Sequence, residues 1–235
     1  MRRRCSFPNP KLLGWRLGEG LQQPNLWYRA MRRVFQVAMC ALWKVRAFNR
    51  HYEPAEGGVL YICNHQSFLD PMLMSLALRR PVNYMARDSL FRFPIFGQLI
   101  RSLNAFPVRR ATADLAALKE AMRRIRRGGQ VVVFAEGTRT IDGCIGPFLP
   151  GVAVLAQRAA RWTVPVLIDG AFEAWPRTQA IPYPGSIVVE YAPPIPQEKA
   201  RELSSQELVD QVRRTLIEMQ AGLRHRLGKR KLDYD

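Results

Sequence analysis

Apolar residues recur at helical spacing in the first fifth of the chain. From Trp27 onwards they return at alternating steps of four and three residues, while arginine, lysine and glutamine side chains occupy the other faces. This spacing is typical of an amphipathic helix and predicts one from Trp27 to Phe48. Its apolar face comprises Trp27, Met31, Val34, Ala38, Leu42 and Val45.

Short apolar runs and helical stretches then alternate along the rest of the chain. Strands are predicted at residues 59–63, 82–86, 130–134, 164–168 and 186–191. Helices are predicted over residues 71–78, 94–103, 112–127, 151–161 and 204–227. The last helix opens with a capping box formed by Ser204 and Glu207. The alternation predicts an α/β fold in which helices flank a mixed, largely parallel sheet.

This pattern divides the chain into four segments. Residues 1–25 contain six proline and glycine residues, which interrupt helices, so we expect a flexible basic arm. Residues 26–50 would form the N-terminal amphipathic helix. Residues 51–200 would form the α/β domain, and residues 201–235 a C-terminal helix with a basic tail.

The composition is that of a globular protein rather than a disordered polycation. Of the 235 residues, 48% are hydrophobic, which is enough to build a core. The four cysteines form no Cys-x-x-Cys pair, so neither a disulfide scaffold nor a metal site is expected. This use of cysteine also indicates a reducing compartment.

The net charge of +17 favours partners that carry phosphate, because 30 of the 36 basic residues are arginine. Residues 1–50 alone contain eleven basic side chains and one acidic side chain. The arginine-rich stretch 123–127 is typical of nucleic-acid binding. No zinc finger, RNA-binding motif or helix-turn-helix accompanies it, so a basic nucleic-acid-binding protein is a distant alternative and no nucleic acid is expected as a partner.

The sequence predicts neither a membrane-spanning helix nor export. No apolar run reaches the roughly 18–20 residues needed to cross a bilayer. Arginines at positions 2–4 resemble the start of a signal peptide, but residues 5–11 are not the apolar stretch that should follow.

The first group of candidate catalytic residues lies where a predicted strand runs into a helix. The stretch 64–70 contains His65 and, five residues later, Asp70. An imidazole with a carboxylate on its far nitrogen can act as a general base towards an alcohol. Five residues of continuous helix would put these side chains about 140° apart, so they can meet only if the segment turns. Alternatively, Asp70 before Pro71 is an ordinary helix N-cap, and His65 is a buried core residue.

The second group follows the strand predicted at 130–134. Gly137 frees the backbone so that successive N–H groups can point into one concavity, and Thr138 adds a hydroxyl group. Arg139 offers a guanidinium fork for phosphate oxygens. Glu136 could hold an acceptor hydroxyl group or orient Arg139. In isolation, however, Glu-Gly-Thr is also an ordinary turn.

Together and in this order, the two groups resemble the motifs of glycerolipid acyltransferases, typified by lysophosphatidate acyltransferase. The likeness rests on Asn-His-x-x-x-x-Asp at 64–70 and Phe-x-Glu-Gly-Thr-Arg at 134–139. Residues 93–97 and 106–110 are similar to the family's second block, and residues 164–168 to its fourth.

The resemblance implies an O-acyltransferase of phospholipid biosynthesis. The acyl chain would move from acyl-CoA or acyl carrier protein, as co-substrate, to a lysophospholipid hydroxyl group, most directly to 1-acyl-sn-glycerol-3-phosphate. His65 would be the general base, and Asp70 would orient it. Asn64 or nearby backbone N–H groups would stabilise the thioester oxyanion. No metal and no cofactor are implied. The residues that would position the acceptor are Arg110, Glu136, Gly137, Thr138 and Arg139.

The chain departs from the family's motifs at three places. Ala135 stands where proline is usual, and Asn104 where glycine is common. The stretch 147–151 lacks the lysines that commonly separate its Phe and Gly. If those lysines hold an acceptor phosphate, this chain must rely on arginines such as Arg110 and Arg139 or take another acceptor.

Another lysophospholipid or a lyso-aminolipid is the alternative acceptor. A lipid-binding module without activity is a third possibility.

A lysolipid acceptor and a long acyl donor imply that the protein acts at an anionic membrane surface. The helix predicted at 27–48 suits this, because basic side chains beside its apolar face would meet anionic headgroups. The alternative is that this helix simply covers the sheet, and both can hold. We therefore expect a peripheral or monotopic position at the cytoplasmic face of the cell membrane.

Overall fold

Strands and helices alternate through most of the chain. A computed structural model describes residues 25–109 and 114–234. The strands are β1 (Arg46–Phe48), β2 (Val59–Cys63), β3 (Val82–Arg87), β4 (Ala105–Val108), β5 (Gln130–Phe134), β6 (Trp162–Asp169), β7 (Val188–Tyr191) and β8 (Ile195–Pro196). The helices are α1 (Leu26–Trp43), α2 (Asp70–Ala77), α3 (Pro94–Ser102), α4 (Leu115–Arg126), α5 (Gly151–Arg158), α6 (Ala171–Ala174), α7 (Gln197–Glu202) and α8 (Ser205–Arg226). Short 3-10 helices cover Arg50–Tyr52 and Asp88–Arg92.

These eight strands form one sheet, in the order β1, β7, β6, β2, β5, β3, β4, with β8 beside β6. β2 is parallel to β5 and β6, β3 is parallel to β5 and β4, and β1 is parallel to β7. β7 and β8 run antiparallel to β6. The prediction of a mixed, largely parallel sheet flanked by helices is therefore confirmed. Helices cover both faces, and every residue of the central strand β2 is buried.

Each face of the sheet has its own apolar core. Leu60 and Ile62 of β2 lie in a cluster with buried side chains of α4, α5 and α8. Tyr61 and Cys63 point to the opposite face and lie in a cluster with buried side chains of α1 and α2. This alternation follows from the two-residue period of a strand.

The hydrophobic pattern predicts most of the strands and helices but not five of the short ones. The strands predicted at 59–63 and 130–134 coincide with β2 and β5. The capping box of Ser204 and Glu207 is confirmed by hydrogen bonds in both directions. The elements β1, β4, β8, α6 and α7 are not predicted, because each has six residues or fewer and shows little periodicity. β4 also contains Pro107, which a strand at the edge of a sheet tolerates.

The predicted segment boundaries need correction at both ends of the domain. The first helix ends at Trp43 rather than at Phe48, because Lys44 adopts left-handed backbone with φ 44°. The chain then enters β1, so the sheet begins before residue 51. α8 contributes apolar side chains to the core beside α5 and is part of the same domain. Residues 1–24 of the predicted arm lie outside the described residues.

Helix α1 presents apolar side chains on two sides. Tyr28 and Met39 are buried, and α1 contacts α2. Trp27, Val34 and Leu42, which belong to the predicted apolar face, are 45%, 58% and 52% exposed. The helix thus covers the domain and also leaves an apolar surface towards solvent. Within the described residues, none of the helices combines the length and the apolar character that crossing a bilayer requires.

Candidate active site

The two predicted motifs meet at one edge of the sheet. β2 and β5 are neighbouring parallel strands with Cys63 opposite Phe134, so the segments that follow them leave the sheet side by side. The N–H of Thr140 donates to the carbonyl oxygen of His65 at 2.8 Å. The N–H of Ala135 donates to the carbonyl oxygen of Cys63 at 3.0 Å. Proline at this position would have no N–H to donate, so alanine adds one backbone hydrogen bond.

His65 and Asp70 form a buried pair. Nδ1 of His65 lies 2.7 Å from Oδ2 of Asp70. The same carboxylate oxygen accepts the backbone N–H groups of Gln66 and Ser67, at 2.6 and 2.8 Å. Asp70 is fully buried, and α2 begins at Asp70 itself without a side-chain cap. The carboxylate therefore points back to the histidine, and the alternative interpretation of Asp70 as an N-cap is wrong.

This contact sets the orientation and the tautomer of the imidazole. Because Oδ2 of Asp70 is a hydrogen-bond acceptor, we assign the ring proton to Nδ1 of His65, which leaves a lone pair on Nε2. The ring stacks on Phe134, with ring centroids 4.2 Å apart and 20° between the planes. His65 is 9% exposed and lines a cavity. Nδ1 is thus engaged by Asp70, and Nε2 is the other ring nitrogen of a side chain that lines this cavity.

Glu136 lies behind the histidine rather than in the cavity wall. Its Oε1 accepts the backbone N–H of His65 at 2.8 Å, and its Oε2 accepts the N–H of Gly146 at 3.0 Å. Burial raises the pKa of Glu136 to about 7, against the opposing effect of these two hydrogen bonds. The carboxylate therefore joins the two motif segments. Its position gives no support to the predicted contact with the acceptor or with Arg139.

Gly137 and Thr138 lie at the surface beside this carboxylate. Gly137 has φ +69°, and a Cβ atom there would approach Cδ1 of Leu149 to 2.8 Å, so both conformation and space favour glycine. Thr138 is exposed. Their predicted roles towards the acceptor stay predictions. Arg110, the other predicted acceptor residue, lies outside the described residues.

Arg139 shares the cavity wall with His65. Its guanidinium carbon lies 3.5 Å from the centre of the Phe68 ring, which is a close cation–π contact. Phe68 is itself 47% exposed, so the stacked pair stands at the rim of the cavity. Of the predicted acceptor-binding residues that the structure describes, Arg139 is therefore the one that lines the same cavity as the imidazole.

Asn64 supports the motif from within the sheet. Its Nδ2 donates to the carbonyl oxygen of Ile168 at 2.9 Å, and its Oδ1 accepts the N–H of Ile168 at 2.8 Å. This pair of hydrogen bonds extends the contact between β2 and β6 beyond the last strand residue. Asn64 is buried and does not line the cavity beside His65, so its position gives no support to the predicted oxyanion role, which stays a prediction.

A largely apolar cavity of about 460 Å³ adjoins the imidazole. Its walls come from α1, the start of α2, β3, the 3-10 helix after β3, and α3. The sequence pattern gives no direct signal for this cavity, because the wall combines segments that are distant in the chain. Representative apolar lining residues are Tyr28, Phe35, Met72, Met85, Phe96 and Leu99.

Within residues 25–109 and 114–234, no group of three or more His, Cys, Asp and Glu side chains is arranged to hold a metal ion. Cys40, Cys63 and Cys144 are free thiols. Cys63, next to the motif, is fully buried, and burial raises the pKa of its thiol well above the usual range.

Comparison with known proteins agrees with this geometry. The family model described as Acyltransferase matches residues 44–169, which is more than half of the chain. The chain belongs to the acyltransferase family. The matched residues of this acyltransferase-family chain run from β1 to β6 and include both motifs. The predicted family resemblance is confirmed.

Several curated relatives are named 1-acyl-sn-glycerol-3-phosphate acyltransferases. The chloroplastic BAT2 of Brassica napus is 27% identical over 157 residues, which cover 62% of this chain and 45% of that protein. The protein from Bacillus subtilis is 26% identical over 144 residues, which cover 61% of this chain and 71% of that protein. The matched part spans about half the length of the plant relatives.

A solved structure shares the fold. The crystal structure of PlsC, the 1-acyl-sn-glycerophosphate acyltransferase of Thermotoga maritima, matches with a TM-score of 0.70 and 23% identity. The match covers 82% of this chain and 79% of that chain. The mixed sheet with its flanking helices is therefore an architecture that this acyltransferase-family chain shares with PlsC.

Proposed function

We propose that this chain transfers a fatty acyl chain from acyl-CoA or acyl carrier protein to the free hydroxyl group of a lysophospholipid. The acceptor named by the relatives, 1-acyl-sn-glycerol-3-phosphate, is the first candidate, and its product would be phosphatidic acid. The observation that carries the proposal is the pair of His65 and the buried Asp70, with His65 in the wall of an apolar cavity.

The proposed reaction is a direct transfer. Nε2 of His65 takes the proton of the acceptor hydroxyl group while that oxygen attacks the thioester carbonyl carbon. The negative charge of Asp70 stabilises the imidazolium that forms. When the C–S bond breaks, the imidazolium returns the proton to the leaving thiolate, and the histidine is neutral again. The buried thiol of Cys63 is poorly suited to form an acyl-enzyme, because its raised pKa disfavours the thiolate.

We assign the apolar cavity to the acyl chain of the donor. Its volume of about 460 Å³ lies in the range of ligand pockets. His65 stands in its wall, so a chain inside the cavity would leave the thioester carbonyl near Nε2. Each methylene group removed from water contributes about 0.8 kcal/mol, which makes the chain itself the main source of donor binding energy.

We infer that Arg139, which lines the cavity together with Arg32 and Arg87, binds the acceptor phosphate. It lies on the cavity wall with His65, and stacking on Phe68 orients its guanidinium plane. Leu149, in the stretch that lacks the family's lysines, lies next to Gly137 and offers no charge. A phosphate group presents pairs of oxygen atoms that match the guanidinium fork.

Arg139→Ala is expected to raise the KM for the acceptor about tenfold or more, with a smaller effect on kcat, because a hydrogen bond to a charged group contributes about 1.5–3 kcal/mol. Steady-state kinetics with the lysolipid varied at saturating acyl-CoA measure this. Arg214→Ala, which removes an exposed arginine from α8, is the matched control. An unchanged KM would remove Arg139 from the acceptor site.

We further propose that the apolar surface beside the cavity docks onto an anionic membrane. Trp27 and Val34 of α1 are exposed, and Phe93 and Ile95 near the start of α3 are 64% and 87% exposed. α1 and α3 touch, since Nε1 of Trp27 donates to Oγ of Ser102 at 3.1 Å. Both helices line the cavity, so docking would bring the cavity close to the lipid. Exposed arginines on α1 would meet anionic headgroups.

Val34→Glu and Ile95→Glu are each expected to lower binding to phosphatidylglycerol vesicles about tenfold, because burying a large apolar side chain contributes about 1.5–3 kcal/mol. Cosedimentation with vesicles measures the partition. Gln211→Glu adds the same charge at an exposed position on α8 and serves as the control. Equal partition of all three variants would contradict docking through this surface.

The basic stretch 123–127 gives little support to the alternative of nucleic-acid binding. Arg124 is only 8% exposed, and its guanidinium group donates to Glu120 and Asn83. Arg123 forms an ion pair with the same glutamate. Part of this charge is therefore used within the fold rather than presented to a polyanion.

A panel of lysolipids, assayed with acyl-CoA and with acyl carrier protein, tests the proposed function. We expect phosphatidic acid to form from 1-acyl-sn-glycerol-3-phosphate. Transfer to a lyso-aminolipid or to another lysophospholipid instead would correct the acceptor but keep the reaction. No transfer from either donor to any lysolipid would overturn the proposal.

A further inference from the structure

The C-terminal helix α8 lies outside residues 44–169, which match the family model, yet it holds the loop that contains Glu136. This loop, residues 135–150, connects β5 to α5. Nε of Arg213 donates to the carbonyl oxygen of Gly146 at 2.8 Å, and Nη2 donates to that of Ile145 at 2.8 Å. A guanidinium group that binds two successive carbonyls restrains the backbone at this point.

The same loop holds the carboxylate that supports the histidine. The N–H of Gly146 donates to Oε2 of Glu136 at 3.0 Å, and Oε1 accepts the N–H of His65 at 2.8 Å. Three successive contacts therefore connect Arg213 to the backbone of His65. A misplacement of about 1 Å, even when its origin is far from the reacting atoms, can cost about 10²-fold in rate.

A second set of contacts from the C-terminal residues holds the middle of this loop. The hydroxyl oxygen of Tyr234 accepts the N–H of Ile145 at 3.2 Å, and the same hydroxyl group is hydrogen-bonded to Gln220. Nε2 of Gln220 donates to the carbonyl oxygen of Gly143 at 3.4 Å. Gln66, next to the histidine, donates to that same carbonyl at 3.2 Å. The loop thus lies between α8 and the first motif.

Buried contacts fix α8 in place. Val212 and Leu216 are fully buried in the core. At the end of β6, the buried carboxylate of Asp169 accepts Nη1 of Arg224 at 2.8 Å and Nζ of Lys229 at 2.9 Å. Arg213 therefore extends from a helix that contacts outside the loop also hold in place.

We propose that Arg213 is a positioning residue, which holds Ile145 and Gly146 so that Glu136 keeps the backbone of His65 in the reactive arrangement. The inference rests on the function proposed above, and it assigns a part of that site to a helix outside the matched family residues. Arg213 would act through Glu136 and would not touch either substrate.

The positive charge of Arg213 also favours the form of Glu136 that accepts both N–H groups. Burial raises the pKa of Glu136 to about 7, and the charge of Asp70 adds to the rise, while the two N–H donors and Arg213 oppose it. His65 and the hydroxyl group of Tyr234 are the other titratable groups near this carboxylate. Removing the charge at position 213 should raise this pKa further, so that more of the carboxyl group is protonated at neutral pH.

Three variants of the full chain test this inference: Arg213→Gln, Arg213→Lys and, as matched control, Arg214→Gln on the exposed side of α8. We expect Arg213→Gln to lower kcat about tenfold or more with little change in KM. Amide hydrogen exchange at His65 should accelerate about tenfold relative to the amides of β2. Carbon-13 NMR should show Glu136 titrating at higher pH than in the wild type. Arg213→Lys, which keeps the charge, should restore part of each effect.

Amide hydrogen exchange at His65 and the NMR titration of Glu136 can be measured without turnover. They therefore test this inference independently of the proposed function. If the wild type transfers no acyl chain, the proposed function fails, and exchange at His65 still decides whether Arg213 positions it. The inference is overturned if Arg213→Gln matches Arg214→Gln in kcat, exchange and titration. It is equally overturned if exchange accelerates to the same extent throughout β2, because that would show only a loss of global stability.

Discussion

His65→Ala is expected to reduce acyl transfer by about 10²–10⁴-fold, the contribution that a positioned general base makes. Alanine leaves no atom in the cavity wall to take the proton of the acceptor. The fold should persist, because Asp70 keeps the N–H groups of Gln66 and Ser67 as hydrogen-bond donors. Turnover at saturating donor and acceptor measures the loss, and vesicle binding should stay unchanged.

His225→Ala provides the comparison for this variant, since His225 is exposed in the last turn of α8. The control should keep full turnover. A His65→Ala protein that turns over as fast as the control would show that another group removes the proton. In that case the pair of His65 and Asp70 would be structural.

Asp70→Asn is expected to lower kcat about 10²-fold or more, because the imidazolium loses the negative charge that stabilises it. The N–H groups of Gln66 and Ser67 require an acceptor at the position of Oδ2. The asparagine oxygen should therefore occupy that position and still accept the Nδ1 proton of His65. The tautomer should survive, and the loss of rate should reflect charge rather than orientation.

The same substitution is also expected to destabilise the fold by about 1–3 kcal/mol, the cost of a buried polar group without a partner. The asparagine amide nitrogen would take the place of Oδ1 of Asp70, which is buried and has no hydrogen-bond partner among the described residues. An N-cap would instead tolerate asparagine well. Denaturant unfolding measures the stability, and Asp210→Asn on α8 is the control. If the Asp70→Asn variant kept the wild-type kcat, Asp70 would have only a structural role.

Both motifs can be recognised in the sequence. Each follows a buried apolar run, and each combines residue types that can transfer protons or bind phosphate. It does not tell the two interpretations of Asp70 apart. An aspartate before Pro71 caps a helix in many proteins, and the contact with His65 depends on how residues 66–69 turn. The backbone N–H groups of that turn hold the carboxylate against the imidazole, and they become visible only in the folded chain.

Two other site residues have positions that the sequence does not indicate. Asn64 is expected near an oxyanion, but its buried amide forms hydrogen bonds with the backbone of Ile168 in β6. Glu136 is expected at the acceptor, but it accepts the N–H of His65 and that of Gly146. In both cases the partner lies on another element of the sheet or its loops. The order of the strands decides which of these atoms meet.

The alternation of strands and helices, the family and the placement of both motifs at strand ends can be predicted from the amino-acid sequence, because periodicity and motif spacing are properties of neighbouring residues. The direction of the Asp70 carboxylate, the hydrogen bonds of Glu136 and the helices that enclose the cavity become apparent only in the folded chain. The contact of Arg213 with Gly146 joins residues 67 positions apart. Such a contact depends on how the helices pack on the sheet, and no local pattern encodes it.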